Sequence, residues 1–221
     1  MNDYLNSFFL GYLPYIALAV FFFGVWTHWH GSNATVQATS SQFFRKDRKL
    51  LWGSVLFHYA ILLVLLGHIF GLLTPPAAYR WLMTDETKRS LAIVMGSLSG
   101  LAALIGLTML VTRRFTDKRV RINSSFQDYF IAILLWVQIL LGLMGTYHTA
   151  HAPLANYLSL DEWAQGVVRF EPDAWKYIAS VNIVYKLHII NGFFIFILFP
   201  YSKLMHMVAA PIRYVLQKKN R

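Results

Sequence analysis

Five stretches of this 221-residue chain hold almost no Asp, Glu, Lys or Arg: about 9–27, 51–74, 91–111, 129–149 and 183–208. A helix rises about 1.5 Å per residue, so about 20 apolar residues cross a hydrocarbon core about 30 Å thick. The first four stretches have that length. The fifth carries Lys186 near its start and Lys203 near its end, where long side chains snorkel to the interface. The pattern predicts an all-α integral membrane protein, a single membrane domain of five transmembrane helices over residues 1–221. Composition agrees: 14% of residues are charged, against about a quarter in a soluble domain. The opening MNDYLNSFFL has neither a positive n-region nor a small-residue cleavage site, so the first span is expected to remain as an anchor.

In a soluble chain, the net charge of +10 would suggest nucleic acid. In this chain, the basic residues are topology markers. Arg45, Lys46, Arg48 and Lys49 follow the first span, and Arg113, Arg114, Lys118, Arg119 and Arg121 follow the third. Lys203, Arg213, Lys218, Lys219 and Arg221 follow or end the fifth. These loops hold 14 of the 20 basic residues on one side, with only Asp47, Asp117 and Asp128 as acids. The other side is richer in acids, including Asp85, Glu86, Asp161, Glu162, Glu171 and Asp173. The positive-inside rule then predicts an outside N-terminus and a cytoplasmic C-terminus. The cationic inner face suits anionic lipid or a soluble protein partner, and no nucleic acid is implied. The only sizeable connection runs from about 150 to 182, and its LDEWAQGVVRF segment (160–170) is expected to form a short interfacial helix. Trp163, Val167 and Phe170 would turn towards lipid or the bundle.

Four of the eight histidines lie in apolar spans: His58 and His68 on the second, His188 and His206 on the fifth. Any one alone reads as a side chain hydrogen-bonded to a neighbouring helix, but ionisable residues at that depth mark function by default. The second and fifth spans are antiparallel, so His58 pairs with His206 near the cytoplasm and His68 with His188 near the outside. Ten residues separate the first two and eighteen the second two, or roughly 15 Å and 27 Å along ideal helices. A kink at Pro200 in a tilted fifth helix is expected to absorb the mismatch. The eighteen-residue step would put His188 and His206 on one face. With no cysteine in the chain, thiolate-held clusters and covalent haem are excluded. Zinc needs three or four ligands where each layer offers two. Two bis-histidine b-type haems are the ligand hypothesis that fits. Gly67, Gly71 and Gly192 would leave room for a flat macrocycle, or serve close helix packing.

The runs ATSSQFFRKDRK, LFHYAILLVLLGHIFGLLTP and YKLHIINGFFIFILFPYSKLMHM resemble the cytochrome b (gamma) subunit of membrane-bound respiratory nitrate reductase. The resemblance covers nearly the whole chain, least well at HTAHAPLANYL. It implies a subunit of the prokaryotic cytoplasmic membrane that oxidises menaquinol or ubiquinol at the outer face. Electrons would pass through two non-covalent haems b to an iron–sulfur subunit and a molybdenum catalytic subunit in the cytoplasm. Nitrate reduction would occur in that catalytic partner. His58 and His206 would ligate the inner haem, His68 and His188 the outer one. The resemblance also places Lys88 in the quinol site, with Gly67 beside the same pocket.

By sequence alone, Lys88 is a solvated loop charge paired with Asp85 or Glu86. Arg113 and Arg114 suit either the inner haem's propionates or the positive-inside pattern. His28, His30, His148 and His151 read as interfacial. A dihaem subunit of a formate dehydrogenase, hydrogenase or sulfur-compound reductase is an alternative, as is a haem-free anchor or transporter.

Overall fold

The computed structural model describes residues 2–31 and 48–208, with side chains undescribed at 31, 48 and 49. The basic runs at 45–49 and 213–221 therefore lie outside the described side chains. Among the described residues every regular element is helical. Five helices are long and apolar enough to cross a membrane: α1 (Asp3–His30), α2 (Arg48–Leu73), α4 (Asp85–Thr116), α6 (Phe126–His151) and the fifth span (Ile183–Tyr201). Its regular part is α8 (Ile183–Leu198). Short helices α3 (Pro76–Tyr79) and α5 (Lys118–Ile122) turn the chain between spans, and α7 (Leu154–Val168) lies in the long connection.

Sequence chemistry sets the helix ends. Asn2 caps α1, Thr84 caps α4 through Thr87 N–H, and Asn182 caps α8 through Val184 N–H. Ser125 and Asp128 form a reciprocal capping box at the start of α6. Within α1, Pro14 has no N–H to give the Leu10 carbonyl four residues back. The Trp163 indole donates to that carbonyl at 2.9 Å, which ties α7 to α1. Trp163 and Val167 are thus buried with Leu10 and Ile178, while Phe170 stays exposed and stacks on Tyr15. Residues 160–168 belong to a longer helix than the sequence suggests, one that begins at Leu154 and ends at Val168 before Phe170, with its indole turned into the bundle.

The helices pack as a row, α2 on α4, α4 on α6, α6 on α8 and α8 on α1. The α2–α4 contact is the closest. An added Cβ at Gly106 would sit 2.6 Å from Phe57 N and 2.9 Å from Phe57 Cα. Backbone cannot yield there, so Gly106→Ala should cost about 1–3 kcal/mol by overpacking. A lowered thermal midpoint in detergent checks this, and an unchanged midpoint would mean α2 and α4 approach less closely. By contrast, α2 and α8 face each other without packing, and α2 is the least buried of the five spans.

The fifth span differs from the expectation of one helix to 208. Regular helix stops at Leu198, a 3₁₀ turn follows over Phe199–Tyr201, and Ser202 is extended at φ −126° and ψ 171°. Pro200 lacks the N–H that would continue the ladder. Its ring lies against Gly24 of α1, where a Cβ would come within 2.6 Å of it. Ser202 then caps a new turn through Leu204 N–H, and His206 begins the next one. His188 and His206 therefore do not share one helix face. A break rather than a kink sets the position of His206.

Candidate functional site

The structure brings His58 against His206 and His68 against His188, with ring centroids 6.0 Å and 5.9 Å apart. The His68–His188 pair spans the slot between α2 and α8, and the His58–His206 pair joins α2 to the turn that follows the break after α8. Each ring is held through Nδ1 to a carbonyl: His58 to Ser54 at 2.7 Å, His68 to Val64 at 2.8 Å, His188 to Gln138 at 3.1 Å, and His206 to Lys203. A carbonyl only accepts, so Nδ1 carries the proton and Nε2 keeps its lone pair. That tautomer is the one a metal ligand needs, and the carbonyl is the usual outer partner. Among the described residues no three His, Asp or Glu side chains converge, so a metal held by protein atoms alone has no cluster there.

The space also suits a flat group. A Cβ on Gly67 or Gly71 would meet nothing within 4 Å. On the far side, Gly142 of α6 clears the His188 ring, whose Cε1 would lie 3.0 Å from an added Cβ. Gly192 does not open onto the slot in this way: it faces Gln138 Nε2 at 3.1 Å, the packing role. The residues present therefore fit a haem in each layer by donor chemistry, and the open positions at Gly67 and Gly71 add room beside His68.

Gln138 and Asn191 escaped the sequence reading. Asn191 donates to Gln138 Oε1 at 2.8 Å and to the Leu134 carbonyl at 3.2 Å, while Gln138 Nε2 lies 3.3 Å from His188 Nε2. The signal was available, because both are polar residues deep in apolar spans, as the histidines are.

Lys88 is not a loop residue. It lies in the first turn of α4 and is 7% exposed, and its Nζ meets Asp161 Oδ2 of α7 at 2.6 Å. Asp85 is engaged elsewhere, by the Tyr79 hydroxyl at 2.7 Å and by Arg80 at 2.9 Å. Tyr79 and Tyr157 flank the ammonium, their ring centroids 4.4 Å and 5.7 Å from Nζ. Burial, opposed by the Lys88 ammonium, pushes the Asp161 carboxyl up to about 6. Gln165 stands one turn on from Asp161 and donates to the Leu72 carbonyl, which is itself one turn on from His68. The Lys88–Asp161 pair and the His68–His188 pair thus share one end of the bundle.

At the other end Arg113 pairs with Asp117 at 3.3 Å, and Arg114 pairs with Asp128 at 3.6 Å and donates to Ser124. Lys203 also reaches Asp128, at 2.6 Å. His28 lies edge-on to Tyr201, His148 neighbours Tyr185, and His30 and His151 bond to carbonyls of their own helices.

The family profile of the nitrate reductase gamma subunit matches residues 6–220. Respiratory nitrate reductase 2 gamma chain of Escherichia coli (strain K12) is 37% identical over 219 residues, 99% of this chain and 96% of that one. Respiratory nitrate reductase 1 gamma chain of the same organism is 38% identical, over 98% and 96% of the two chains. The nitrate reductase gamma chain of Bacillus subtilis (strain 168) is 34% identical over 93% and 92%. Likeness of this extent, on five apolar helices that make it a multi-pass membrane protein, admits one conclusion: the chain belongs to the nitrate reductase gamma subunit family.

Proposed function

We propose that this chain is the quinol-oxidising dihaem cytochrome b subunit of a membrane-bound nitrate reductase. It lies in the cytoplasmic membrane with its N-terminus outside and its C-terminus inside. One observation carries the reading: two histidine pairs face each other between the second and fifth spans, each ring with Nδ1 tied to a carbonyl, the tautomer whose Nε2 carries the lone pair. His58 and His206 would hold the inner haem, and His68 and His188 the outer one. When bound, the two haems b supply a chain of one-electron carriers across the membrane.

The chain's own residues position and deprotonate the substrate. Lys88 places a fixed ammonium at the outer end, where it stabilises negative charge developing on a quinol oxygen. Gly67, beside His68, where an added Cβ would meet nothing within 4 Å, leaves the approach open. Protons leave to the outside, and electrons pass to an iron–sulfur subunit and a molybdenum catalytic subunit on the cytoplasmic face. There Arg113, Arg114 and Lys203 are already drawn into pairs with Asp117 and Asp128.

A reduced-minus-oxidised absorption spectrum of the purified chain tests this. The expected result is a b-type signal with two haems per chain. A chain that binds no haem, purified from cells competent in haem synthesis, would retire the reading in favour of a plain membrane anchor.

A further inference from the structure

We propose that Asp161 is the base of this site, taking the quinol hydroxyl proton on Oδ1 while Lys88 holds the carboxylate through Oδ2. The inference rests on the quinol reading above and adds to it the group that receives the proton. Its main support is an orphan atom. Asp161 Oδ1 is buried and has no hydrogen-bond partner among the described residues, although Oδ2 is met by Lys88 at 2.6 Å. A buried carboxylate oxygen without a donor is costly to maintain, and such an atom in a native site calls for an explanation. A ligand hydroxyl supplies the missing donor.

Competing groups are spoken for. The Asp85 carboxylate accepts from the Tyr79 hydroxyl and from Arg80, and Glu162 lies on the exposed side of α7. Burial and the nearby carboxylates hold both flanking phenols protonated, with Tyr79 pushed up to about 12 and Tyr157 raised as well. These groups, with Lys88 and Arg80, are the charged and titratable neighbours of Asp161. Among them Asp161 alone combines burial, an unpartnered oxygen and a pKa near the working range, at about 6.

The step balances simply. A quinol O–H bond breaks and an Oδ1–H bond forms, while one electron leaves the quinol for a one-electron acceptor, the role that an oxidised haem held by His68 and His188 would fill. Two such events convert quinol to quinone. Asp161 returns each proton outward past Tyr79, Arg80 and Asp85.

The test uses the assembled complex in membranes, with Asp161→Asn and Asp161→Glu. Haem content is read from dithionite-reduced spectra, and quinol-driven haem reduction is followed against pH. Accepting a proton requires the carboxylate, so the wild-type rate should fall as pH drops through about 6. Asp161→Asn should keep its dithionite-reducible haems, reduce them by quinol about 10²-fold more slowly, and lose the acid limb. Asp161→Glu should restore most of the rate and move the limb. A wild-type rate and limb in Asp161→Asn, beside a slow Lys88→Ala, would overturn the base while leaving the quinol site standing. If Asp161→Asn does not assemble, the wild type still decides: a profile flat between about pH 5 and about pH 7 overturns the proposal.

Discussion

His68→Ala and His188→Ala should each remove one and the same haem, and His58→Ala and His206→Ala should each remove the other. Every single variant is then expected to retain about half the wild-type haem, because each pair would lose one of the two histidines proposed to hold its haem. The pairing follows from ring centroids 5.9 Å apart at one end of the slot and 6.0 Å apart at the other. Low-temperature spectra of the four variants check it, since the two sites differ in surroundings. His188 lies against Gln138, which Asn191 holds in turn, whereas His58 is backed by the Ser54 hydroxyl at 3.3 Å. If His68→Ala and His206→Ala lost the same spectral component, the layers assigned here would be wrong. Replacing Gln138 should perturb only the His188 component, because its side-chain amide lies 3.3 Å from His188 Nε2, while its main-chain carbonyl keeps its bond to Nδ1 in any variant.

Lys88→Ala should leave both haems in place and slow their reduction by quinol about 10²-fold, the scale of a lost electrostatic stabiliser. An artificial donor that reduces the soluble partner directly should be unaffected. The same substitution should also cost stability, which a solvated loop lysine would not. Both members of the Lys88–Asp161 pair are buried, and removing one partner of such a pair costs about 3–5 kcal/mol. The penalty has a predictable pH dependence. Without the ammonium, the Asp161 carboxyl rises further above its unfolded value, so the folded variant binds a proton more tightly than the unfolded chain. Its stability deficit against wild type should therefore grow as pH rises above about 6, where the wild-type carboxyl ionises before the variant's, and level off below that, where both are protonated. Thermal midpoints of the two proteins across that range supply the measurement. A deficit independent of pH would show that Lys88 contributes packing against Tyr79 and Tyr157 rather than charge.

Hydropathy alone determined that the chain forms five apolar helices, because a bilayer selects for length and composition, and both are local properties of the sequence. It also determined which histidines face which. Three crossings separate the second span from the fifth, so they must run antiparallel, and four histidines on two antiparallel helices sort into two layers. What the local pattern left undecided is where each partner comes from across the chain. Lys88 and Asp161 lie 73 residues apart, and nothing in TDETKRS distinguishes a buried ion pair from a solvated one. Asp161 becomes a partner only once α7 folds onto α1 and α2, through the Trp163 bond to Leu10 and the Gln165 bonds to Leu72 and Thr74. Likewise, Pro200 announces a disturbance in the fifth span, but its outcome depends on Gly24 of a helix some 176 residues earlier. A proline removes one hydrogen bond wherever it stands. Whether the chain then kinks, or breaks and turns as it does before His206, is decided by the space a neighbouring helix leaves, and that is a property of the tertiary structure.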